Sequence, residues 1–197
     1  MTPDANATPP KPTGAATMLE YAVTPSQIVA GSQQSLTLTA TNPANGSRIE
    51  FTPGPQGDEI VLIIPAPPGQ TGANALTDKV DFAARSESDG FIAGAQPGES
   101  NSFVIRPLGQ AVLQPGQAIT VRLGPVTVNS DPGQASLTIE EYIGTNSATA
   151  TVELTKSKQP LQITAWLGRQ IAGKGEAVTL YWQSAGGTVV DIAGLDG

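Results

Sequence analysis

Residues 34–41 read QSLTLTAT, and this short stretch decides the fold class. Leu36, Leu38 and Ala40 fall on one parity, while Thr37, Thr39 and Thr41 fall on the other. Strict alternation with β-branched polar residues outside is the pattern of a half-buried strand. The same rhythm returns in QAITVRLG, which turns Ile119, Val121 and Leu123 inward and Thr120 and Arg122 outward. Residues 58–65, DEIVLIIP, are apolar on both parities from Ile60 to Ile64, as expected of a central strand covered on both faces. Gly and Pro, 22 and 17 of 197 residues, punctuate these runs as turns.

Working outward, LEYAVT and QIVA read as an edge strand broken at Pro25, where a missing N–H is tolerated. RIEFT, DKVDFAA, GFIAG, NSFVIRP, PVTVN, ASLTIEEYIG and ATATVELT read as further strands, with no convincing helix among them. The expectation is all-β: an antiparallel two-sheet immunoglobulin-like sandwich over residues 19–155, followed by a partial second module. Residues 1–18, rich in Thr, Pro and Ala, read as a disordered leader. TKSKQP breaks the strand pattern, which makes residues 156–160 an inter-module linker. The long stretch PAPPGQTGANALT, residues 65–77, reads as a loop of the functional or mobile kind.

Composition excludes more than it assigns. With no His and no Cys there is no Ser-His-Asp triad, no thiol nucleophile, no disulfide and no Cys- or His-ligated metal. A net charge of −7 without any basic stripe disfavours nucleic acid as a partner. No apolar run approaches the ~20 residues that span a bilayer, so membrane insertion is not expected. The opening MTPDANATPPKPTGAAT is not a signal peptide, while low Lys content and Thr/Gly/Pro-rich β character lean towards a secreted or surface setting. No cofactor is expected.

Residues 161–197 carry a more specific signature: Trp166, Ile171, Gly173, Glu176, Val178, Leu180 and Trp182. In this pattern an aromatic on a first strand precedes a Gly-Glu turn and a V-T-L-x-W strand. It resembles the opening of bacterial immunoglobulin-like modules, and residues 19–155 resemble immunoglobulin- or fibronectin-type sandwiches less specifically. The resemblance implies spacing, adhesion or ligand display, with a protein partner or further modules of the same polypeptide, and no catalytic residues. A module of this kind needs about seven strands, whereas residues 161–197 hold about three. The remaining strands would come from continuation of the chain, from packing on the first domain, or from another chain. A weaker echo, IVAGSQQSLTLT, LQPGQAITVRL and IAGKGEAVTLYW, repeats one turn-and-strand topology.

Glu141 is the foremost candidate site residue. Ala135, Leu137, Ile139 and Ile143 share its parity, which places a carboxylate on the core face of a strand. Two readings follow: a buried acid or a member of an Arg-paired site with Arg85 or Arg106, against a bulge or solvated strand end that takes Glu141 out of the core. Trp166 is a candidate contact residue, and Trp182, in phase with Val178 and Leu180, a core anchor. Asp58, Glu59, Glu87 and Asp89 are weak calcium candidates without the loop spacing that calcium requires, and Asp78 and Asp81 are expected on opposite faces. The expected function is a non-enzymatic structural or interaction module. A carbohydrate or other extracellular-ligand binding module is the alternative, and a hydrolase using carboxylates alone a remote one.

Overall fold

The structure is a computed structural model that describes residues 16–160, 162–168 and 173–185. Most of the expected leader (residues 1–15), Ile171 and the expected last strand of the second module lie outside them. The chain divides into two compact units, residues 1–157 and 158–197.

The first unit begins with β1 (Glu20–Thr24), β2 (Gln27–Val29), β3 (Gln33–Thr41), β4 (Ile49–Phe51) and β5 (Glu59–Ile63). A single 3-10 turn at Gly72–Asn74 precedes β6 (Ala84–Ser86), β7 (Phe91–Ala95), β8 (Ser102–Pro107) and β9 (Ala111–Leu113). Three longer strands follow: β10 (Ala118–Thr127), β11 (Gly133–Ile143) and β12 (Asn146–Ser157). No α-helix occurs among the described residues, and none of their helices is long and apolar enough to cross a membrane.

Two main sheets share one apolar core. One has the order β1-β3-β10-β6 and the other β2-β12-β11-β5-β8-β7, with β4 and β9 as a separate pair. Leu36, Leu38, Ile119, Val121 and Leu123 come from the first sheet, Ile60, Leu62, Ile105, Leu137 and Ile139 from the second, and all are buried in the same cluster. Alternation therefore predicts the inward face of each of these strands. Truncating one such leucine to alanine removes about 2–5 kcal/mol, because the cavity collapses only in part. β5 lies between β11 and β8, where Val61 is buried on the outer face beside Val104 and Glu140.

The structure departs from the sequence reading in several places. The break at Pro25 does more than interrupt an edge strand, since β1 and β2 belong to different sheets. The larger sheet is also not purely antiparallel: β2 runs parallel to β12, with Ile28 opposite Lys156. Residues 78–83, expected as strand, have no ladder. There the Thr77 hydroxyl exchanges hydrogen bonds with the Lys79 backbone, local bonding that competes with a strand. β12 runs on to Ser157, so Lys156 is strand and not linker. The end of the expected leader is held as well, because Met18 N–H bonds into the first unit.

In the second unit β13 (Gln162–Leu167) and β14 (Leu180–Ala185) form an antiparallel ribbon with Trp166 opposite Tyr181. The Gly173–Glu176 turn closes on itself, with Glu176 N–H on Gly173 O and Gly173 N–H on a Glu176 carboxylate oxygen. Trp182 is not a core anchor, since 45% of it is exposed. A two-stranded ribbon has two faces and, among the described residues of this unit, no second layer to cover either of them.

Candidate functional site

β11 carries Glu141 without a bulge, in register with Ala148 of β12 and Ile60 of β5. The carboxylate is therefore delivered to the core side and is wholly buried. Its solvation is replaced by four donors. Oε1 accepts from Met18 N–H at 2.7 Å and from Asn146 Nδ2 at 3.1 Å. Oε2 accepts from Leu19 N–H at 3.1 Å and from the Tyr21 hydroxyl at 2.8 Å. Hydrogen bonds to an ionised group are about twice as strong as neutral ones, which makes an otherwise costly buried charge tenable. Among the described residues no arginine takes part: Arg106 pairs with Glu59 instead, and Arg85 lies on β6 in the other sheet. Burial, reinforced by the neighbouring carboxylate, pushes the Tyr21 phenol far above its ordinary range and keeps it a donor. The geometry makes Glu141 a clamp on the chain entering β1, with every lone pair directed at protein.

A second buried polar group went unrecognised at the sequence level. Lys156 is 2% exposed, and its Nζ donates to Ala75 O, to Gly72 O at 3.4 Å and to Asn129 Oδ1 at 3.1 Å. Asn129 Oδ1 also accepts from Asp131 N–H at 2.8 Å, and Asn129 Nδ2 donates to Asp78 Oδ1. Burial lowers the Lys156 amine, opposed by the charges of Asp131 and Asp78. This network pins the loop at residues 65–77 from below, while Leu76 N–H bonds Pro65 O and Asn129 N–H bonds Leu76 O. The signal for Lys156 was its parity with Ala148 and Leu154, masked by the charged composition around it.

The weak calcium candidates do not converge. Asp58 accepts Thr52 N–H and Gly144 N–H, each at 2.6 Å, and so ties two turns together. Glu59 is bonded by Arg106 through Nη2 at 2.6 Å and Nε at 2.8 Å. Glu87 and Asp89 are exposed, Asp78 serves Asn129, and Asp81 faces Lys79 at the surface. Among the described residues no group of three or more acids could hold a metal ion. Trp166 is 50% exposed and stacks on Tyr181 with ring centroids 5.8 Å apart.

On the outer face of the larger sheet, Val61, Ile63, Gln96, Asn101, Glu140 and Tyr142 border a depression of about 280 Å³. The Tyr142 hydroxyl donates to Glu140 at 2.9 Å, and burial together with that carboxylate raises the phenol above its ordinary range.

No family model and no curated protein matches the chain. Among solved structures it is similar to AvmM, described as catalysing macrocyclization in alchivemycin A biosynthesis. The TM-score is 0.38 at 12% identity, over 73% of this chain and 90% of that one, too distant to carry fold or activity across.

Proposed function

We propose that this chain is a non-enzymatic spacing module of the immunoglobulin-like sandwich type, built to hold its two ends apart under tension. The observation that supports this reading is the parallel pairing of β2 with the end of β12, Gln27 to Thr155 through Val29 to Ser157. Tension applied before β2 and after β12 pulls two parallel neighbours in opposite directions. Their hydrogen bonds are then strained together rather than opened one by one. Ala30 N–H on Ser157 O and Thr155 N–H on Ser26 O, each at 2.9 Å, extend the same ladder. Upstream, Glu141 holds Met18 and Leu19. Asp58, Glu141 and Lys156, all buried, each bond backbone groups of this unit, which is the pattern of a scaffold.

Single-molecule stretching of the chain from both ends tests the proposal. The first unit is expected to open in one cooperative event, at a force lowered by Ala30→Pro, which removes the N–H that Ser157 O accepts. Gradual opening at low force, or saturable turnover on a hydrolase substrate panel that Glu141→Gln abolishes, would sink it. The depression bordered by Gln96, Asn101, Glu140 and Tyr142 favours a second reading, carbohydrate binding, because amides, an acid and one ring there suit hydroxyl groups. A glycan array answers that directly.

A further inference from the structure

The depression on the outer face of the larger sheet is built from two adjoining rows of residues. Gly94, Val104, Val61 and Glu140 follow one another across β7, β8, β5 and β11, and Ser102 stands opposite Ile63 in the next row. Gly94 brings no side chain to its row, and a Cβ there would meet nothing within 4 Å, so that end stays open. The turn closed by Glu99 N–H on Gln96 O adds both residues to the lining.

The polar atoms that the fold leaves over here are mostly acceptors. Tyr142 occupies Glu140 Oε2 and leaves Oε1 free. Asn101 uses Nδ2 on Ile64 O and keeps Oδ1. Ser102 is only 7% exposed and lines the depression, yet its hydroxyl bonds no described residue. Folded chains normally satisfy a buried hydroxyl, so one left open towards a cavity points to a ligand. Among the described residues neither Glu99 nor Glu140 is ion-paired, and no lining residue is basic. Arg106, on the neighbouring row, is held by Glu59.

We propose that this depression binds an unacetylated amino sugar, with the sugar's ammonium group on Glu140. The proposal rests on the carbohydrate reading of the same depression and names the sugar. An ammonium group carries three donors and no acceptor, the complement of these free carboxylate and amide oxygens. Its bond to Glu140 is charge-assisted, and Glu99 adds negative potential from the side. Ring hydroxyls both donate and accept, which suits Ser102, Gln96 and Asn101, while Val61 and Ile63 offer apolar surface to the ring's C–H groups. An N-acetyl group would remove the charge and set a carbonyl acceptor among acceptors. A volume of about 280 Å³ is at the small end of ligand sites, room for about one ring.

Titration of the full chain with the disaccharide of glucosamine, read by amide chemical shifts at about pH 6, tests this; ordinary carboxylates are ionised there. Saturable shifts are expected at Gln96, Ser102 and Glu140. The N-acetylated disaccharide should bind at least about tenfold more weakly, as should the glucosamine disaccharide to Glu140→Gln. Glu87→Gln removes an equal charge from an exposed residue elsewhere and should change nothing. Equal affinity for the acetylated sugar overturns the ammonium assignment and leaves the carbohydrate reading standing. No shift with either sugar overturns the proposal, and a blank glycan array besides would remove the carbohydrate reading too. Equally tight binding of a simple alkyl diamine overturns the sugar. Equal weakening by Glu87→Gln and Glu140→Gln would reduce the attraction to the general field of an acidic chain and overturn the site. The two sugars compared on the wild-type chain decide the matter even if a variant does not fold.

Discussion

The Tyr21 hydroxyl donates to a Glu141 carboxylate oxygen at 2.8 Å across 120 residues of sequence. That single contact joins the edge strand of one sheet to the central part of the other, and it closes the set of donors around a fully buried charge.

Removing the charge should loosen the entry of the chain. In Glu141→Gln an amide donor faces N–H groups that need an acceptor, at a cost of about 2–3 kcal/mol. Tyr21→Phe leaves the carboxylate with its other donors and should cost about 1–2 kcal/mol. Urea denaturation followed by far-UV circular dichroism measures both, and an unchanged midpoint for Glu141→Gln would contradict the clamp.

Alkaline pH should weaken the first unit through the same residue. The folded-state pKa of Tyr21 is raised by burial and then by Glu141, while the unfolded phenol titrates near its ordinary value of about 10. Below that value both states hold the proton and the stability is intact. As pH climbs above about 10 the unfolded chain releases the proton first, and stability is lost up to the folded pKa. The wild-type urea midpoint should fall more steeply there than that of Tyr21→Phe. Tyr142, shifted in the same direction, leaves a residual slope in that variant.

Both tryptophans of the chain stand on the ribbon of the second unit, and both are about half exposed. Acrylamide should quench their emission efficiently in the folded chain. Blue-shifted, protected emission would show that the ribbon is covered.

Much of this was legible residue by residue. The parities of Leu36, Leu38 and Ala40, of Ile119, Val121 and Leu123, and of Ala135 through Ile143 are local properties of extended chain, and they hold in the fold. The same parity put Glu141 on the core face. It would also have found Lys156, two residues beyond Leu154, had the charged run TKSKQP not suggested a linker. The reading of Trp182 failed for the opposite reason: alternation marks a side chain's face but says nothing of whether a second layer covers that face.

Alone, then, the sequence determined that the chain is all-β and which side the residues of its clearly alternating strands take, because a two-residue period is set by the backbone within a few bonds. Tertiary structure decided the rest: that Glu141 meets Met18, Leu19 and Tyr21, that β2 runs parallel to β12, and that Lys156 comes to lie on Asn129. Those pairings join segments far apart along the chain, several of them through backbone groups that every residue carries, so no local pattern could announce them.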